Sequence, residues 1–220
     1  MTPSPSPLHT PRTTLKRLPT RGSYERATID AILDEGLVCH LGFAVDGQPY
    51  VLPTTYARVG DVVYVHGSAA SRMMRGLGAG TAACLTVTLL DGLVLARSAF
   101  HHSMNYRTVV LLGTMQLIDD PAERVAALDA IVEHVVPGRM SDLRVSTAQE
   151  LKATTVLRLP ITEASAKVRT GGPLDDADDL TQPCWAGVLP LSLTPHAPIA
   201  APDLPTGIVL PSYVQAWQRG

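Results

Sequence analysis

Residues 37–66, LVCHLGFAVDGQPYVLPTTYARVGDVVYVH, decide the fold class. Leu37 to Val45 is rich in strand-forming residues and stops at Asp46-Gly47, a dipeptide suited to two consecutive left-handed backbone positions in a tight hairpin. Pro49 to Val59 resumes the extended pattern, Gly60-Asp61 breaks it, and Val62 to His66 completes a three-stranded meander. Beyond this stretch, Thr81 to Leu90 and Leu93 to Phe100 flank Asp91-Gly92, which predicts another hairpin. Tyr106 to Ile118 is the longest predicted strand, and Thr154 to Thr162 is the last. Several apolar strands at short spacing with tight turns indicate a mainly β protein, an antiparallel barrel or sandwich.

Helices flank these strands. Tyr24 to Glu35 carries the apolar stripe Ile29, Ile32 and Leu33, with Ser23 to cap it and Gly36 at the expected left-handed end. Ser71 to Leu77 reads as one or two turns, ended by Gly76, Gly78 and Gly80. A third helix opens on Asp120-Pro121 with Glu123 completing a capping box, and Pro137-Gly138 stops it. Val125, Leu128, Ile131, Val132 and Val135 form its apolar face, and a short helical piece lies around Gln149. Lys167 and Arg169 read as a basic turn, followed by an acidic loop.

Both ends differ in composition. Residues 1–23 hold Pro3, Pro5, Pro7, Pro11 and Pro19, four cations and no acid, and read as a flexible or draped arm. Residues 24–190 form the folded domain, and the tail 191–220 is proline-rich and extended. The whole chain has 45% hydrophobic and 17% charged residues, which excludes global disorder. A net charge of −2 provides no basic field for nucleic acid or anionic lipid. No apolar run approaches the roughly 20 residues of a membrane span, and the N-terminus lacks the apolar segment of a secretory signal. Cys39, Cys84 and Cys184 are odd in number and widely spaced, which argues against a disulfide framework and suits a cytoplasmic location.

Three clusters could carry chemistry. Leu52-Pro53-Thr54-Thr55-Tyr56 places a proline in mid-strand, so this stretch should lie at an edge with backbone groups free for a ligand. His66-Gly67-Ser68 runs into Ser71-Arg72, where hydroxyls, amides and a guanidinium could meet a monophosphate. Ser103, Asn105, Tyr106 and Arg107 surround a strand start. Adjacent His101 and His102 would point to opposite faces, and no histidine spacing suggests a chelate, so no metal is expected.

These clusters, in this order, resemble the pyridoxamine 5′-phosphate oxidase-related FMN-binding split-barrel family, in its flavin-nucleotide-binding, 5-nitroimidazole reductase-like branch. The residues that carry the resemblance are Ile32 to Gly36, Gly47 to Pro53, Tyr64 to Ser68 with Ser71-Arg72, Asn105 to Val110 with Gly113, Glu150-Leu151-Lys152, Lys167-Val168-Arg169 and Trp185-Ala186-Gly187. The resemblance covers roughly residues 24–190. It implies a six-stranded antiparallel barrel that forms a homodimer with flavin at the subunit interface. It further implies that Leu52, Pro53, Thr54, Thr55 and Tyr56 lie along the flavin ring, that Ser71 and Arg72 hold its phosphate, and that His66, Gly67, Ser68 and Met73 belong to the same cofactor-binding stretch. Ser103, Asn105, Tyr106 and Arg107 would contribute from a neighbouring strand, and Lys167, Arg169 and Trp185 would close the site. Many family members carry lysine where this chain has Met73, so one phosphate cation is missing. The activity implied is FMN-dependent electron transfer from a reduced nicotinamide to a small organic acceptor, with His66 near the reactive edge as a candidate proton donor. The alternative is a non-catalytic protein of the same fold that holds haem or flavin.

Overall fold

A computed structural model describes residues 8–219; Pro3, Pro5 and Pro7 of the expected arm lie outside the described residues. In chain order the elements are β1 (Gly22–Ser23), α1 (Arg26–Glu35), β2 (Val38–Val45), β3 (Gln48–Val59), β4 (Val62–Ser68), α2 (Arg72–Gly78), β5 (Ala82–Leu95), β6 (Ser103–Thr114), β7 (Gln116–Leu117), α3 (Pro121–Val135), α4 (Ala148–Ala153), β8 (Thr154–Pro160), β9 (Ala164–Arg169), β10 (Gly187–Pro190) and α5 (Ser212–Gln215).

All strand pairs are antiparallel, and the sheet order is β1-β9-β6-β5-β2-β3-β4-β8-β7, with β10 added to β5. Only Met115 separates β6 from β7, so the chain that starts beside β5 ends beside β8. Six long strands, β6-β5-β2-β3-β4-β8, therefore close a barrel; β9 and β1 continue the sheet from β6, with Ala164 and Ala166 of β9 in the main core, and β10 extends it from β5. The two meander turns behave as their sequences require. Asp46 and Gly47 both have positive φ (51° and 79°), whereas in the Gly60-Asp61 turn only the glycine does (57°).

The Asp91-Gly92 hairpin is not formed. Residues 82–95 are one continuous strand, and the extra residue Asp91 is taken up as a bulge between the Leu90–Tyr106 and Gly92–Asn105 pairs. One edge of β5 pairs with β2 over its first half and with β10 over its second, so both halves of the strand are held straight. The predicted strand to Phe100 ends at Leu95, and Ala99–His101 is a 3-10 turn. Lys167 and Arg169 lie in β9 and not in a turn.

The main core fills the barrel with Leu41, Leu85, Val109, Leu111, Leu157 and Leu159, closed at one end by Ile29, Ile32 and Leu33 of α1. A second cluster under α3 contains Ala127, Ile131, Tyr64 and Val156; the predicted stripe residue Val125 is exposed. Asp120 caps α3 through the amides of Ala122 and Glu123. The Glu123 side chain bonds Tyr64 and Arg158 instead of completing a capping box. Residues 8–23 lie against the barrel: Thr13 is buried, the Leu8 carbonyl accepts from the Ala164 amide, and β1 pairs with β9. Among the described residues no helix is long and apolar enough to cross a membrane.

A full capping box forms on α4, where Thr147 and Glu150 exchange hydrogen bonds. The Arg144 guanidinium, followed by the Thr147 amide and hydroxyl, lowers the Glu150 carboxyl from 4.5 to about 2. A depressed carboxylate stabilises the fold above its unfolded value and loses that contribution as pH falls through its folded value. The cap should therefore be at full strength above 4.5 and should weaken toward pH 2. An NMR titration of the Glu150 carboxyl carbon checks this, and a midpoint at the ordinary value would contradict it.

Candidate functional site

The exposed half of β3 and the start of α2 meet at one place. From Gln48 to Pro53 the strand is exposed or half-buried throughout, and Val51 (65%) and Leu52 (40%) are apolar side chains facing solvent. Arg72, the first residue of α2, lies over the Tyr50 ring, 5.9 Å from its centroid, and donates to the Tyr50 hydroxyl at 3.2 Å. Tyr50 is in turn stacked on Phe43 of the neighbouring strand. Arg72 has no acidic partner among the described residues. Ser71 occupies the N-cap position, but its side chain caps nothing. A cation without a counter-ion, a free hydroxyl and an apolar strand edge thus share one groove. An anionic group with an apolar extension satisfies all three.

His66 sits on β4 opposite Val156, half-buried, and its Nδ1 is buried without a hydrogen-bond partner. Burial pushes its pKa below the ordinary 6.5, so the ring is neutral at pH 7. A neutral imidazole suits metal ligation better than proton donation.

Several expected contacts are structural. Tyr56 is fully buried and donates to the Leu33 carbonyl at 2.6 Å, so it belongs to the core and not to the groove. Thr54 and Thr55 are half-buried, whereas Leu52 and Pro53 are exposed. Gly67 serves packing: a Cβ there would stand 2.9 Å from Met74 Cγ. Met73 packs against the main core. The Ser68 hydroxyl accepts from the Ala70 amide within its own turn.

The third cluster is dispersed. Arg107 forks onto both Glu35 and Asp91, and these bonds hold its pKa above the ordinary arginine range. Its charge is neutralised, so it is not available to a phosphate. Asn105 is buried and accepts from Arg169, which also donates to the carbonyls of Gly171 and Gly172. Arg169 is 5% exposed, and burial lowers its pKa. Ser103 and Tyr106 are half-buried, Lys167 donates to the Arg17 carbonyl, and Trp185 is exposed against Gly187. His101 turns toward Asp176 and Asp179, and His102 bonds the Ser98 carbonyl, so the two histidines do not converge.

A cavity of about 640 Å³ lies beside this region, lined by Glu35, His40, Leu90, Arg107, Leu193 and Arg219 among others. His40 is registered opposite Pro53, so the cavity borders the strand that carries the groove. Arg219 donates to the carbonyls of Glu35 and Gly36 and reaches His134. Tyr50 stands within the Gly47 to Pro53 motif, but nothing local marks it as the seat of Arg72. Arg219 had no sequence signal at all.

The sequence profile of the family described as Pyridoxamine 5'-phosphate oxidase matches residues 25–168. The chain belongs to this family. Among solved structures, the flavocytochrome Anf3 from Azotobacter vinelandii is 41% identical to this pyridoxamine 5′-phosphate oxidase family member, with a TM-score of 0.90 over 99% of this chain and 100% of that one. The FAD and heme binding protein from Mycobacterium smegmatis is 40% identical, with a TM-score of 0.85 over 89% and 96%. A candidate 5-nitroimidazole antibiotic resistance protein from Bacteroides thetaiotaomicron, at 23% identity, TM-score 0.57 and coverage of 67% and 86%, shares the fold. No curated protein matches. The family's split barrel, with flavin-binding structural neighbours, is thus shown for this chain.

Proposed function

We propose that this protein is a flavin-dependent oxidoreductase that passes electrons from a reduced nicotinamide to a small organic acceptor. The observation that carries the reading is Arg72 held over Tyr50, with no acidic partner among the described residues, beside the exposed half of β3. From Tyr50 to Thr55 the strand spans about 17 Å, enough for an extended flavin nucleotide to lie along it. Arg72 and the Ser71 hydroxyl would hold the phosphate, and Leu52, Pro53 and the neighbouring backbone would flank the ring. FMN is the flavin implied by the family resemblance; FAD is the flavin named for the similar M. smegmatis protein, and it would extend beyond Arg72. When bound, the flavin supplies hydride acceptance and electron delivery; the protein supplies position, charge and exclusion of water. A homodimer would bring a second copy over the exposed apolar edge and complete the groove.

His66 favours a second reading, in which the chain also holds haem. Its ring is neutral, Nδ1 is shut off from solvent, and Nε2 would be the atom left to meet iron; two proteins about 40% identical are named for haem or as a flavocytochrome.

The absorption spectrum of freshly purified protein, followed by chromatography of released cofactor, tests both readings. Two flavin bands support the first, and an added Soret band supports the second. A colourless protein that takes up neither cofactor on reconstitution would overturn both. Arg72→Ala should weaken FMN or FAD binding roughly tenfold to a hundredfold, the worth of one charged hydrogen bond. Riboflavin, which has no phosphate, should lose far less affinity in the same titration. Equal losses would place Arg72's role in the fold.

A further inference from the structure

Residues 212–219 dock on the ends of α3 and α1. The Tyr213 hydroxyl donates to Asp142 at 2.6 Å, and Trp217 Nε1 donates to the Val135 carbonyl at 2.9 Å. Arg219 donates through Nε to the Glu35 carbonyl at 2.9 Å and through Nη2 to the Gly36 carbonyl at 3.3 Å. The last carbonyls of a helix have no partner within it and carry the negative end of its dipole, so a guanidinium suits this end of α1. Arg219 is also part of the wall of the 640 Å³ cavity, together with Glu35, Gly36, Val38, Leu191 and Leu193. Whether Arg219 stays in place therefore sets how open that wall is.

His134 of α3 decides how firmly Arg219 sits. Its Nε2 lies 2.6 Å from the Gly36 carbonyl oxygen and 3.0 Å from Arg219 Nη2. A ring nitrogen carries either a proton or a lone pair. With the proton on Nε2, the ring donates to Gly36 and turns a donor toward a donor of Arg219. With the proton on Nδ1, Nε2 accepts from Arg219 and turns a lone pair toward the carbonyl oxygen. The neutral ring thus has one tautomer that holds Arg219. The doubly protonated ring has none: it keeps the Gly36 bond and sets a full positive charge 3.0 Å from a guanidinium nitrogen. Other charges face the ring from α1 and β3. Asp34 favours the charged ring, and Arg58, itself paired with Asp34 and Asp30, opposes it. The Tyr56 ring lies 4.9 Å away, centroid to centroid, with its hydroxyl committed to Leu33. On α3 itself, Glu133 turns away to the amides of Gly138 and Met140. Burial lowers the His134 pKa from 6.5, the Gly36 carbonyl raises it, and Arg219 lowers it. Linkage is reciprocal: if docked Arg219 repels the proton, the proton weakens the docking of Arg219.

We propose that residues 212–219 are a proton-released latch on the cavity: protonation of His134 drives Arg219 off the end of α1 and opens that wall. The latch is closed while the ring is neutral and opens as pH falls below 6.5, because only the undocked state gives His134 back its ordinary affinity for a proton. It needs neither flavin nor haem to be present.

The test uses the full chain with p-acetylphenylalanine in place of the exposed Gln218, coupled to a nitroxide so that the three cysteines stay untouched. Between about pH 8 and pH 5 the mobile fraction in the electron paramagnetic resonance spectrum should rise at least roughly threefold, with its midpoint below 6.5. His134→Gln keeps an amide that can donate to Gly36 and takes no charge, so its spectrum should stay immobile across the range. Arg219→Gln should be mobile already at the high end and show no step. A flat wild-type titration would overturn the proposal. So would a step that survives in either variant, since another group, such as His66, would then carry it. A step that coincides with loss of the far-ultraviolet circular dichroism signal would also overturn it, because the fold and not the latch would be opening. Arg219→Gln leaves the buried cores untouched and decides the matter by itself if His134→Gln does not fold.

Discussion

On the haem reading proposed above, His66→Ala is expected to lower haem uptake more than tenfold while flavin binding stays within a few-fold of wild type. Loss of an outer partner of a metal ligand costs about 10–100-fold in affinity, and loss of the ligand itself costs at least as much. The half-buried ring of His66 keeps Nδ1 out of water with no partner, which leaves Nε2 as the nitrogen for a ligand. Burial also lowers its pKa from 6.5, so ligation should persist to lower pH than an exposed histidine allows. The sign for stability is the reverse. As pH falls below 6.5 the unfolded chain binds a proton that the folded apoprotein resists, and the fold loses stability. Haem titration of wild type and variant, followed at the Soret band, is the measurement. Added imidazole should restore part of the binding in the alanine variant. Equal haem content in the two proteins would remove His66 as the ligand, and a hundredfold loss of flavin turnover in His66→Gln with no change in either cofactor would return it to the proton-donor role.

Gly36→Ala should destabilise the fold by about 2–4 kcal/mol. Its φ of −67° is open to any residue, so the expected left-handed end of α1 is absent and backbone freedom is not the reason for glycine. The reason is close approach. A Cβ there would stand 2.4 Å from Val87 Cγ1 and 2.7 Å from the Tyr56 hydroxyl, and both of those residues are buried. Overpacking of this kind costs about 1–3 kcal/mol. Displacing Tyr56 also weakens its buried hydrogen bond to Leu33, worth about 1 kcal/mol more. The melting temperature should fall by roughly 5–15 °C for a chain of this size. Gly172→Ala is the control: no atom lies within 4 Å of its added Cβ and it has no positive φ, so its melting temperature should barely move. Equal melting temperatures for the two variants would show that the α1–barrel contact yields without cost.

The sequence by itself determined the parts whose cause is local. Asp46-Gly47 and Gly60-Asp61 set two hairpins because few other residues tolerate positive φ there, and Asp120-Pro121 set the start of α3 because the orphan amides need an acceptor. The ordered motifs from Gly47 to Arg169 carried the family and its fold. Asp91-Gly92 had the same local chemistry as the true hairpins, yet β2 and β10 together hold one edge of β5 and turn the dipeptide into a bulge. Which side chains face the groove was also beyond local reading. Tyr56 and Arg107 sat in the right motifs, but Leu33 claims one, and Glu35 with Asp91 claims the other, across 23, 72 and 16 residues. Arg72 stayed open to a ligand because no carboxylate reaches it among the described residues and Tyr50 stands beneath it. Long-range hydrogen bonds and ion pairs choose partners by distance in space, and that distance is set only when the barrel closes.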